Sequence, residues 1–237
     1  MACYLIDAVP FPELCNNDNP GVKTLINQAK YLGYLSYDKS KLIGKGTFKT
    51  AHLASLNWVS TFPSTGLGAK NSQSIPVALK RPYDDRSSDK VIKRFNYADE
   101  SRKVLTEGTL LGWADSLLQF AYTFINDFIA ENTPPFPIPQ LRFVRGAIAY
   151  SEKPLNGTPA SGASSGTSDR AAYLLEELLP KDLEFIKYIH NGEAVPLQDE
   201  DEPGYDIGLF LCFIQHVQFI HTHGQAYISD FQGKKTL

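Results

Sequence analysis

Asp230 and Gln232 stand two apart in D-F-Q-G, directly after the apolar-aromatic run Ala226-Tyr227-Ile228. A strand through this segment sends both side chains to one face, where a carboxylate and an amide oxygen can meet a cation. Far upstream, Gly44 and Gly46 lie in G-K-G-T-F-K, with Lys49 where the third glycine of a dinucleotide fingerprint would stand. Glycines at such a turn let a phosphate approach the backbone closely. The apolar run Ile75-Pro76-Val77-Ala78-Leu79 ends in Lys80, whose ammonium can counter phosphate charge. His216, His221 and His223 offer three imidazoles within eight residues. Neither a helix nor a strand-turn would put all three on one face, so they do not form a metal site of their own.

These groups need elements to hold them. Residues 42–49 read as a strand with its glycines at a turn, and residues 50–54 as a second strand pairing back as a hairpin. A helix with breaks is expected over 91–130, since apolar positions at 110, 111, 113, 114, 117, 118, 120, 121, 124, 125 and 128 form a wide stripe. Glu107 lies on it, placed to pair with Lys80. A second helix over 205–221 is apolar through Leu209, Phe210, Phe213, Ile214, Val217 and Ile220 and must bury against something. Residues 1–35 form a mixed N-terminal extension, in which the N-N-D-N-P cluster at 16–20 marks a turn before a short helix around 22–32. Stretches 60–75 and 151–170 are rich in Ser, Gly, Thr and Pro, and the second reads as a flexible surface insertion. D-E-D-E at 199–202 is a solvated loop before the second helix.

Composition narrows the function classes. A chain of 237 residues with 43% hydrophobic content can build a sizeable core. A net charge of -3 argues against nucleic acid or an anionic membrane surface as the main partner, and no apolar run approaches the length of a membrane span. Cys3, Cys15 and Cys212 form neither a C-x-x-C pair nor a disulfide framework, and the first ten residues lack a basic n-region. A cytoplasmic location is expected.

Taken in order, these pieces resemble the alpha-kinases, an atypical protein kinase family, with a detail closest to fungal members. The residues that carry the resemblance are G-K-G-T-F-K at 44–49, V-A-L-K at 77–80, T-E-G-T-L-L-G-W-A at 106–114, Y-L-L-E-E-L at 173–178, F-I-K-Y-I-H-N-G at 185–192, F-I-Q-H at 213–216 and I-S-D-F-Q-G at 228–233. The resemblance implies an α+β, bilobal protein-kinase-like fold over 36–237, with a complete N-terminal lobe and a partial C-terminal one. It implies ATP and Mg2+ as cofactors and a protein serine or threonine hydroxyl as substrate.

Site roles implied by the resemblance fall on particular residues. Lys80 contacts the ATP phosphates with Glu107 as its ion-pair partner, and Lys49, Gly44 and Gly46 lie near the phosphates. The backbone of Glu176, Glu177 and Leu178 forms the hinge to adenine, and Asn191 and Gly192 sit near the nucleotide. Asp230 is the catalytic aspartate, Gln232 a magnesium ligand, and His216, fourteen residues before Asp230, the first ligand of a structural Zn2+. The family continues after D-x-Q-G into a T-D-P motif, a further His and a Cys pair, whereas this sequence stops at Thr236-Leu237. Impaired activity and an incomplete zinc site are therefore expected, with a nucleotide-binding or partner-binding pseudokinase as the alternative.

Overall fold

The computed structural model describes residues 1–7, 9–16, 30–58, 74–84, 92–134, 136–151, 170–182 and 184–234. These fall into two compact units.

The first unit takes residues 1–7, 19–112 and 144–178. Six antiparallel strands close a barrel in the order β1-β2-β3-β4-β6-β5, where β1 is Ala2–Leu5, β2 Tyr31–Lys45, β3 Lys49–Trp58, β4 Ser74–Pro82, β5 Gly146–Tyr150 and β6 Ala172–Glu177. The expected hairpin is present, Gly44 facing Ala51 and Lys45 facing Thr50. Alternation explains the closure: Ala54, Leu56, Val77, Leu79, Ala149, Tyr173 and Leu175 point inward and form one buried cluster with Cys3. Residues 38–41 bulge out of β2, since Tyr37 faces Ala54 while Leu42 already faces His52. Residues 1–35, read from the sequence as an extension, supply β1 and the opening of β2 to this barrel.

Helix α2, Tyr97–Ile129, runs unbroken, its residues through Gly112 belonging to the first unit and the rest to the second. It starts at 97 and not at 91 because Asn96 caps it: Asn96 Oδ1 accepts from Asp99 N at 2.9 Å. In the first unit Val104 packs with Ile148, Ala172 and Leu174 on the outer face of the barrel. The approach is close enough that a Cβ on Gly108 would stand 2.6 Å from Ile148 Cδ1, so any larger residue there would push the Ile148 side chain aside.

The second unit takes residues 8–18, 113–143 and 179–237. Here the remainder of α2, α3 (Tyr205–His221) and β7 (Phe185–Lys187), which pairs with β8 (Gln232–Lys234), share a core built on Leu118, Ala121, Ile125, Ile189, Phe210 and Ile214, while α1 (Phe11–Asn16) lays Phe11 against Phe120, ring centroids 4.9 Å apart. Helix α3 begins and ends where its apolar pattern does, and residues 199–202 are exposed turns before it.

Three expectations need correction or fall elsewhere. No strand forms over 226–228; pairing starts only at Gln232. Of the helix expected around 22–32, residues 22–29 lie outside the described residues, and Tyr31 and Leu32 belong to a strand. Residues 60–73 and 152–169 also lie outside the described residues.

Candidate active site

Strand β4 turns alternate residues to opposite faces, so Lys80 points out of the barrel while its neighbour Arg81 points in. On the outer face, Lys80 Nζ meets Glu176 Oε2 at 2.5 Å, and Lys49 Nζ meets Glu107 Oε2 at 2.5 Å. The expected Lys80–Glu107 pair does not form: Glu107 binds Lys49, and Lys80 binds Glu176, expected only as a hinge position. Register dictates this. Ala78 lies opposite Glu176 and Lys80 opposite Leu174, so Lys80 and Glu176 are diagonal neighbours on one face of the sheet. Each lysine remains about 30% exposed, which leaves ammonium donors for a further anion.

The glycine turn is pinned by Tyr83, whose hydroxyl donates to Gly46 O at 2.8 Å and whose N–H donates to Phe48 O at 3.0 Å. Lys45 Nζ lies 5.3 Å from the Tyr83 ring centroid. A Cβ on Gly44 or Gly46 would meet nothing nearer than 3.8 Å, so packing does not demand glycine there and the space over the turn is open. Of the hinge positions, Glu177 already gives its N–H to Arg145 O at 2.9 Å, and Leu178 lies just past the strand.

In the second unit Asp230 sits on a turn with φ 59°, a left-handed conformation that costs a non-glycine residue about 1–2 kcal/mol. Lys187 Nζ meets its Oδ1 at 2.6 Å. Gln232 opens β8 opposite Lys187, so Lys187, Asp230 and Gln232 gather at one end of the small sheet. Both Asp230 and Gln232 are exposed oxygen donors, a set that suits magnesium, an ion that keeps several waters and takes few protein ligands. Lys187 escaped the sequence reading although it lies in F-I-K-Y, because a lone lysine on a short strand carries no signal until its partner is placed. Asn191 and Gly192 are exposed on the loop after β7, and nothing lies within 4 Å of a Cβ built on Gly192.

His216 is exposed on α3, so it is not a core histidine. Among the described residues no three His, Cys, Asp or Glu side chains come together as a metal cage. The described residues therefore do not fit a tetrahedral zinc. His221 instead packs on Phe124, ring centroids 4.6 Å apart.

The alpha-kinase family model matches residues 69–237, more than half of the chain. This chain is an alpha-kinase family member. The match takes in Lys80, Glu107, Glu176, Lys187, Asp230 and Gln232, and begins after the glycine turn and Lys49. No curated protein matches the chain. Alpha-kinase membership brings kinase and transferase chemistry, with ATP and a divalent metal used by the family generally and proteins as substrates. No helix among the described residues is long and apolar enough to cross a membrane.

Proposed function

We propose that the chain binds MgATP and transfers its γ-phosphoryl group to serine or threonine hydroxyls of a protein. The observation that carries this reading is the turn at Asp230: an exposed carboxylate held left-handed, with Lys187 on one oxygen and Gln232 beside it. A strained polar residue whose position is over-determined by its surroundings is a recurrent mark of reacting groups.

Bound MgATP supplies the phosphoryl group and the cation that neutralises its charge. Lys80 and Lys49 would hold phosphate oxygens, and Glu176 and Glu107 keep each ammonium in place so that little side-chain entropy would be lost on binding. The glycine turn admits the phosphates to the backbone. Lys187 fixes Asp230 through Oδ1, and Oδ2 is left to accept the hydroxyl proton of the substrate. Gln232, beside Asp230, would offer its amide oxygen to the metal.

Calorimetry with MgATP and radiolabel transfer to a basic serine peptide test this. Saturable binding is expected, weakened by Lys80→Ala, and Asp230→Asn should cut transfer by roughly a hundredfold or more while leaving nucleotide binding in place. No saturable heat at millimolar nucleotide in folded protein would sink the nucleotide reading. Binding without transfer would make the chain a nucleotide-binding pseudokinase.

A further inference from the structure

Residues 226–228 make no strand, yet their main chain is closely held. Thr222 Oγ1 donates to Ala226 O at 2.8 Å and accepts from Ala226 N at 3.0 Å. Gln218 Oε1 accepts from Ile228 N at 2.9 Å, and Gln215 Nε2 donates to Ile228 O at 2.7 Å. Gln215 and Gln218 are three residues apart on one face of α3, and Thr222, four further on, is the residue that caps the helix's C-terminus. All three are buried, Gln218 fully, and Gln218 is itself fixed by its Nε2 donating to Leu117 O at 3.2 Å.

On the other side of Asp230, Phe231 is buried and its carbonyl accepts from Tyr188 N at 2.9 Å and Ile189 N at 3.3 Å. Asp230 thus lies between two anchored peptides with only Ser229 intervening. Gln215 makes the point sharply, because its Oε1 is buried without a partner among the described residues. A leucine would fill similar space with no orphaned oxygen; what the glutamine adds is the bond to Ile228.

We infer that Gln215, Gln218 and Thr222 are positioning residues that set the left-handed turn at Asp230, by gripping the backbone two residues ahead of it with side chains in place of a strand. The inference rests on the reading of Asp230 as the reacting carboxylate.

Two variants test it in the full chain. Gln218→Met keeps the side chain's length and loses both its hydrogen bonds; Gln215→Leu also removes the orphaned oxygen and is the one expected to stay folded. The readouts are kcat and KM for ATP, hydrogen exchange at the Ile228 amide, and the Asp230 carboxyl carbon signal with and without Lys187→Met. In Gln215→Leu, kcat should fall roughly tenfold or more with KM for ATP unchanged, as expected when a reacting group is misplaced. The Ile228 amide should exchange faster, and Lys187→Met should no longer shift the Asp230 signal as it does in the wild-type background. A folded Gln215→Leu with wild-type kcat, and an Asp230 signal still answering to Lys187, would overturn the inference. So would a matched change in kcat and KM with a lower melting temperature, the mark of a purely structural role. If the wild type transfers no phosphate, the catalytic reading of Asp230 falls, and the Asp230–Lys187 signal still decides whether the clamp sets the turn.

Discussion

Lys80 and Arg81 are consecutive on β4, and each is paired with a glutamate, but the two pairs differ in kind. In the buried pair, Arg81 Nε donates to Glu100 Oε1 at 2.5 Å and its Nη2 to Glu100 Oε2 at 3.3 Å, while Ala172 N donates to the same Oε2 at 3.0 Å. Glu100 is fully buried, and Arg94 continues the network onto Arg81 O and Thr50 Oγ1. Burial alone would lower the Arg81 pKa, and the Glu100 carboxylate outweighs it, leaving the guanidinium firmly charged. Outside the barrel, Lys80 and Glu176 share a single short contact and keep further hydrogen-bonding capacity. A saturated, buried pair fixes the fold; an unsaturated one at the surface is able to accept a ligand.

The largest effect should come from the interior. Glu100→Gln strands a buried guanidinium and should cost about 3–5 kcal/mol in denaturant unfolding. A loss below about 1 kcal/mol would erase the distinction between the two pairs.

Alkaline pH should attack the same region more mildly. Burial pushes the Cys3 thiol from 9.0 to about 11 and raises the Tyr173 phenol, whose ring meets Tyr37 edge-on. Both raised groups are held neutral in the folded barrel, so their stabilisation is complete below their unfolded pKa values and is lost as pH rises through the folded ones. For Cys3 this is on the order of 2 kcal/mol, seen as a melting temperature that falls between about pH 9 and 11. Cys3→Ala should flatten that fall; an unchanged profile would remove Cys3 from the account.

The smallest stability effect belongs to the outer face. Glu176→Gln should cost no more than about 1 kcal/mol, as partly exposed pairs do, yet weaken MgATP binding measured by calorimetry. Full-strength binding in that variant would mean that Glu176 does not hold Lys80 for the nucleotide.

Much of this architecture was legible in the sequence because local chemistry and tertiary demand agreed. The hairpin at 42–54 declared itself through its glycines, and α3 through an apolar pattern that runs its full length. Pairing choices were less legible. The resemblance pairs Glu107 with Lys80, but nothing in the sequence reveals barrel register, and register is what brings Glu176 to Lys80. The segment 226–228 was misread as a strand for another reason: its composition suits extended backbone, but its hydrogen bonds go to Gln215, Gln218 and Thr222, and side-chain partners leave no period-two trace. Lys187 was silent until the left-handed turn brought Asp230 to it.

A backbone ladder is indifferent to the identities of the residues in it, so substitutions drift through strands at little cost to where the chain runs. The approach to Asp230 has no such tolerance. Its course is written in three side chains on and just past α3, Gln215, Gln218 and Thr222, and single-base changes at those codons can erase it while the helix itself survives. Sequence drift in this protein should therefore disable Asp230 from a distance, producing folded chains in which D-F-Q-G is intact and misplaced.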